Sequence, residues 1–152
     1  MTSKKTWGNA CWYLFHSLAF KLHDDNPRIV NDLLTHIKSI CGVLPCPDCS
    51  MHATQTLNRL RFDKVKDRET LVQILFEFHN IVNKRVGNKL FTREEHDNLY
   101  KNASLPSMYN HFTRVMSENV RSERAMMYNL SRKNRLQTFD AFIKANAHCF
   151  LA

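Results

Sequence analysis

Cys46-Pro47-Asp48-Cys49 is the pair of side chains in this sequence best spaced for chemistry. Two thiols held two residues apart can close into a disulfide, and a thiolate of the pair can attack another disulfide or an electrophilic cofactor. Pro47 suits the first position of a helix, where its missing N–H costs nothing. Cys46 is therefore expected at the N-cap and Cys49 in the first turn. The unpaired N–H groups and the positive end of the dipole there favour thiolate over thiol. Two other readings of the same residues stand beside redox exchange. One is half of a zinc site, completed by His52 and a fourth ligand; the other is a pair of ordinary thiols.

The remaining cysteines are Cys11, Cys41 and Cys149, five in all, a sparse and odd set that does not describe a secreted disulfide scaffold. Cys11 and Cys41 lie on apolar helical faces and are read as buried and inert. Cys149 is read as a free thiol on a mobile tail. No second Cys-x-x-Cys occurs.

The elements that position the pair are helical. A thioredoxin-like fold would need strand–helix–strand units around the motif, and its flanks repeat at helical spacing instead. Residues 8–23 place Trp12, Phe15, His16, Ala19, Phe20 and His23 on one broad face, with a break at Asn26-Pro27. Ile29, Leu33, Leu34, Ile37, Ile40 and Cys41 form a second face closed by Gly42. The helix opened by Cys46-Pro47 runs to about Leu60. Asp67 can cap a fourth, whose stripe of Leu71, Ile74, Leu75, Phe78, Val82 and Val86 stops near Gly87. Thr92-Arg-Glu-Glu95 is a capping-box pattern that opens a short fifth helix. The fold class expected is all-α: a four-helix bundle with a short fifth helix, over residues 1–105. A basic helical extension, residues 106–152, follows it.

Composition narrows the function. With only Gly8, Gly42 and Gly87 in 152 residues, neither a G-x-G-x-x-G fingerprint nor a P-loop occurs, so any nucleotide is bound without a glycine loop. The formal charge of +8 is uneven, with 8 basic against 3 acidic residues from Lys101 onward. That excess reads first as a solvated helix face, and nucleic acid is not an expected partner. The longest stretch without a charge runs from Thr6 to Phe20, too short for a membrane span. It is read as part of the fold rather than as a leader.

Three segments in register resemble the Erv/ALR family of FAD-linked sulfhydryl oxidases, in the compact form carried by large DNA viruses. Trp7-Gly-Asn-Ala-Cys-Trp12-Tyr-Leu-Phe-His16 is similar to the family's opening Trp-x-x-x-His helix. Cys46-Pro-Asp-Cys49-x-x-His52 is similar to its catalytic pair. His79-Asn80-Ile-Val82-Asn83-Lys-Arg-Val86 resembles its His-Asn-x-Val-Asn-x-x-Leu segment, with Val86 where Leu is usual. The resemblance spans residues 7 to about 100.

The resemblance implies FAD held inside the bundle, which answers the cofactor question that the missing glycine loops raise. Trp12, His16, His52, His79, Asn80, Val82, Asn83 and Lys89 are the implied FAD contacts, with Gly8 and Phe20 as additions, Lys84 and Arg85 beside Lys89 as phosphate partners, and Cys49 beside the flavin. Trp12 and His16 are one helical turn apart, as are His79 and Asn83, so each pair can face one ligand. No metal ligand set is expected. The implied reaction oxidises a dithiol to a disulfide with O₂, releasing H₂O₂, with Cys46 as the outer sulfur that a substrate thiolate attacks. The implied partners are a dithiol protein or a small thioredoxin-like redox protein, and a second copy in a homodimer. The compartment expected is intracellular, host cytoplasm or virion, with the mitochondrial intermembrane space as the second reading. A reading of another class is a helical adaptor with a Cys/His zinc site and a basic tail for a partner or nucleic acid.

Overall fold

A computed structural model of the chain describes residues 3–23, 27–118 and 123–151; Asn26, half of the expected break, lies outside them. The helices described are α1 (Lys4–Lys21), α2 (Val30–Cys41), α3 (Pro47–Arg59), α4 (Arg68–Val86), α5 (Arg93–Tyr100), α6 (Leu105–Met116) and α7 (Glu123–Ala145). Extended pairing among the described residues is limited to a bridge between Leu22 and Phe150. The architecture is all-α, as the periodicity requires.

Local signals set most boundaries. Asp67 and Thr70 cap α4 reciprocally, and Thr92 and Glu95 do the same for α5. Gly87 ends α4 at φ +80°, a left-handed conformation in which a side chain would be strained. Gly42 ends α2 for a different reason. Its φ is −78°, but a Cβ there would sit 2.9 Å from Nη1 of Arg135, which donates to Ser39 O at 2.7 Å. α1 begins a turn before the expected Gly8, because Ser3 Oγ accepts from Thr6 N–H at 3.3 Å.

α1 is the central element, and it is buried on more than the one face expected of it. Leu14, Phe15, His16, Ser17, Leu18 and Ala19 are all buried. Trp12 and His16 meet α4 and α5, while α6 lies across the other side. There Cys11 Sγ is 3.7 Å from Met116 Sδ, and the Phe15 and Phe112 rings are 6.1 Å apart. The amphipathic reading of α1 is corrected by this second partner.

Residues 106–152 contribute Phe112, Val115, Met116, Phe139, Cys149 and Phe150 to the same core. Arg132, only 2% exposed, donates to the carbonyls of Val43 (3.0 Å), Met116 (3.3 Å) and Glu118 (3.3 Å) and to Asn129 Oδ1 (2.7 Å). It thus satisfies the buried carbonyls of Val43 and Met116 at the ends of α2 and α6. Cys149 is not on a mobile tail. It is buried, and His23 N–H donates to its carbonyl at 2.9 Å while Leu151 N–H donates to Lys21 O at 2.7 Å. Met126, Met127 and Leu130 on α7 are exposed. No helix among the described residues is long and apolar enough to cross a membrane.

Candidate active site

Cys46 is the N-cap of α3, in extended backbone, and Pro47 follows at the helix start. Cys46 Sγ accepts from Cys49 N–H at 3.2 Å, and the two residues form a disulfide with Cα atoms 5.2 Å apart. The loop before them is held in place by Ser50, whose buried hydroxyl accepts from Leu44 N–H at 2.7 Å. The cap geometry therefore follows from the local sequence: a β-region residue, then proline, then the first turn.

Cys49 borders a partly open cavity of about 710 Å³ lined by α1, α3, α4, the end of α2 and the segment that runs from Asn88 into α5. That volume lies within the range of ligand-binding clefts. Cys46 does not border it. The pair is thus asymmetric, with one sulfur on the cavity wall and the other outside it.

Of the residues that the sequence offers as ligand contacts, Gly8, Trp12, His79, Val82, Asn83 and Lys89 border the cavity with Cys49. The His79 imidazole lies flat against the Trp12 indole, centroids 4.0 Å apart and planes 9° from parallel, with Phe78 edge-on to Trp12 at 4.9 Å. Asn83 is 4% exposed, and its amide has a single weak contact, to Asn80 Oδ1 at 3.5 Å. A buried amide so poorly satisfied is a polar group ready for a ligand. Gly8 opens directly onto the space, since a Cβ there would meet nothing within 4 Å.

The other candidates stand elsewhere. His16 is fully buried behind His79, with His16 Nε2 2.9 Å from His79 Nδ1. Phe20 lies under the Arg68 guanidinium, 4.7 Å from its centroid, and its carbonyl accepts from that group at 2.9 and 2.6 Å. Asn80 latches the segment after α4: its Nδ2 donates to Phe91 O at 2.8 Å, and its Oδ1 accepts from Phe91 N–H at 2.9 Å. His52 is half-buried on α3, away from the cavity, and Lys84 points to solvent. Among the described residues, no three His, Cys, Asp or Glu side chains gather to hold a metal ion.

Arg85, offered by the sequence as a phosphate partner, also borders the cavity, and sequence reasoning did not reach Lys4 and Lys5, which complete a positive rim with Arg85 and Lys89. Lys4, Gly8 and Trp12 are spaced i, i+4, a signal hidden by starting the helix at residue 8. It also did not reach His96. His96 Nε2 is 3.1 Å from His16 Nδ1, and His96 Nδ1 is 2.9 Å from Asp97 Oδ1. Burial pushes His16 well below the usual imidazole range, helped by its histidine neighbours, and lowers His79 to about 4. The site histidines are therefore neutral at ordinary pH. Cys11 and Cys41 also border the cavity, and burial raises both thiols, Cys41 to about 12.

The model of the Erv1/Alr family matches residues 9–101, which include Cys49 and every lining residue of this cavity from Asn9 onward. A chain of Invertebrate iridescent virus 3, named as a candidate FAD-linked sulfhydryl oxidase, is 37% identical over 85 residues, 55% of this chain and 57% of that relative. The present chain thus spans little more than half of that relative's length. An FAD-linked sulfhydryl oxidase of African swine fever virus is 30% identical over 105 residues, 67% of this chain and 86% of the relative. A candidate FAD-linked sulfhydryl oxidase of Acanthamoeba polyphaga mimivirus is 32% identical over 97 residues, 61% of this chain and 67% of the relative. With a matching family model over most of the chain and an internal cysteine on a helix-walled cavity, the chain belongs to the Erv1/Alr family.

Proposed function

We propose that this protein is an FAD-dependent thiol oxidase that converts paired thiols of a protein substrate into a disulfide, with dioxygen as the final acceptor: R(SH)₂ + O₂ → RS₂ + H₂O₂. The observation that carries this is the position of Cys49, disulfide-bonded to Cys46 and on the wall of a 710 Å³ cavity. The residues present fit a flavin dinucleotide. Trp12, His79 and Val82 give flat and apolar walls, Asn83 gives an under-satisfied amide, and Lys4, Lys5, Arg85 and Lys89 supply cations for a pyrophosphate. No glycine loop is needed, because side chains rather than a helix N-terminus carry the phosphate charge.

The protein's own part is thiol–disulfide exchange. A substrate thiolate attacks Cys46 Sγ, the sulfur outside the cavity, forming a mixed disulfide as the Cys46–Cys49 bond breaks. Cys49 leaves as a thiolate, stabilised by the N-terminus of α3. The substrate's second thiolate then attacks its own sulfur in the mixed disulfide and releases Cys46 as a thiolate. Two electrons have moved from substrate to the pair, and two protons have gone to solvent. Bound flavin supplies the acceptor for that electron pair and its transfer to dioxygen, which takes up two protons. The place of Cys49 on the cavity lining, with Cys46 off it, supports giving the inner role to Cys49 and the outer role to Cys46.

The proposed substrate is a dithiol protein or a small thioredoxin-like redox protein that reduces Cys46–Cys49 directly. A homodimer is proposed on the family resemblance, and host cytoplasm or virion as compartment on the viral origin of the relatives. The test of function is oxygen uptake by the purified protein with dithiothreitol. A flavin spectrum that follows the protein, with turnover lost in Cys49→Ser, is expected; a flavin-free protein without uptake contradicts the proposal.

A further inference from the structure

Beyond the cavity wall, four side chains form one hydrogen-bonded line: Asp97 Oδ1 to His96 Nδ1 (2.9 Å), His96 Nε2 to His16 Nδ1 (3.1 Å), and His16 Nε2 to His79 Nδ1 (2.9 Å). The line runs from a partly exposed carboxylate on α5, through the fully buried His16 of α1, to a ring of α4 on the cavity. A neutral imidazole has one donor nitrogen and one acceptor, so each link fixes the next.

The line has a direction because of its end. Asp97 is held ionised: burial alone would raise its carboxyl, but hydrogen bonds from His96 and from Arg93 Nε (2.9 Å) outweigh that and keep it below the usual range. Arg93 is in turn tied to α4 through Glu69 (2.8 Å) and Gln73 (2.7 Å). A carboxylate only accepts, so His96 Nδ1 carries the proton. His96 Nε2 must then accept from His16 Nδ1–H, and His16 Nε2 from His79 Nδ1–H. His79 is left with a lone pair on Nε2.

That nitrogen has no hydrogen-bond partner among the described residues and is not sealed from solvent. One face of the ring is covered by Trp12, so a ligand meets His79 at its edge. The void beyond the ring, among Phe76, Asn80 and Phe91, is about 10 Å³, room for at most a water, so space for a ligand lies in the large cavity.

We propose that Asp97, acting through His96 and His16, is a positioning residue that fixes His79 as the Nδ1–H tautomer, so that its Nε2 offers the cavity a hydrogen-bond acceptor and selects a planar heterocycle that presents an N–H there. The tautomer lock stands on this geometry and on the neutral state that burial gives the three rings; only the identity of the heterocycle rests on the flavin reading. FAD carries two such groups, the amine of its adenine and the imide of its flavin ring.

The test is a long-range ¹H–¹⁵N spectrum of the full chain, as purified, with labelled histidines. The lock requires His79 with a protonated Nδ1 and an unprotonated Nε2. A protonated Nε2 in the wild-type protein overturns it, with no variant needed. Asp97→Asn, whose amide can accept or donate, should populate both tautomers of His96, His16 and His79, and Asp97→Glu should restore one. A single unchanged tautomer set in Asp97→Asn overturns the role of Asp97. The donor is found by flavin exchange on the full chain, with FAD analogues that lack the adenine amine or are methylated at the ring imide. The analogue without the donor should bind roughly tenfold more weakly, and equal binding of both overturns the selection of an N–H. A protein with the expected tautomers that retains no flavin contradicts the flavin reading and leaves the lock standing.

Discussion

The indole of Trp12, on α1, and the imidazole of His79, on α4, stack at 4.0 Å with their planes 9° apart, and this pair is the flat wall of the cavity that Cys49 borders. Each ring also holds the other in orientation, since Phe78 packs edge-on to Trp12 and His16 bonds His79. Trp12→Ala should therefore remove both a wall and its support. Flavin retention after gel filtration is expected to fall by roughly tenfold or more, with about 2 kcal/mol lost from folding stability. His79→Phe separates the two contributions: it keeps the stack, loses the polar edge and should bind flavin more tightly than His79→Ala. Equal retention by the two His79 variants would show that the stack contributes nothing.

Gly8 gives a prediction in which stability and binding move oppositely. A Cβ there meets no protein atom within 4 Å and opens onto the cavity, so Gly8→Leu should fill cavity space. Replacing a glycine inside a helix should stabilise the flavin-free chain by about 0.5–1 kcal/mol. Flavin occupancy should fall at least about tenfold, because the ligand loses room. Thermal melting and flavin absorbance of one preparation measure both; a destabilised Gly8→Leu that keeps its flavin would contradict the placement of the cavity.

The site histidines make stability depend on pH with a definite sign. His79 is lowered from 6.5 to about 4, chiefly by burial, so the unfolded chain binds its proton at a pH where the folded chain does not. Its contribution is fully present above about pH 6.5 and is lost as pH falls toward about 4, by about 3 kcal/mol in all. His16 and His96 are lowered by burial too and act in the same direction. The melting midpoint of the flavin-free protein should drop steadily across that window, with a shallower slope in His79→Phe. A flat profile between about pH 7 and pH 5 would contradict neutral site histidines.

Much of the site was legible in the sequence wherever the cause is local. The cap at Cys46-Pro47, the capping boxes at Asp67 and Thr92, and the left-handed stop at Gly87 all follow from neighbours within four residues. What was not legible depends on packing. The second buried face of α1 exists only because α6 returns across it, and nothing in the spacing of Cys11 and Phe15 names Met116 and Phe112 as partners. His96 sits in a polar-looking eight-residue helix, and its role appears only when α5 brings it against His16. Cys149 looked like a tail thiol because its anchors, Lys21 and His23, are at the far end of the chain.

Arg132 tests the part of the chain beyond Pro106. Its guanidinium holds the buried carbonyls of Val43, just past α2, and Met116, at the end of α6. Arg132→Met keeps the bulk but leaves those carbonyls buried and unpaired. It should cost roughly 3 kcal/mol, read as a lower urea midpoint with unchanged helix content. A midpoint equal to wild type would show that the buried cation is dispensable.

The central claim is that Cys49, and not Cys46, is the sulfur in electronic contact with the bound cofactor. It is tested most directly by adding a dithiol to the protein under anaerobic conditions and following the flavin absorbance. The wild-type spectrum should bleach within the turnover time, while Cys49→Ser, with its flavin retained, should stay yellow. Bleaching of Cys49→Ser at the wild-type rate would contradict the account.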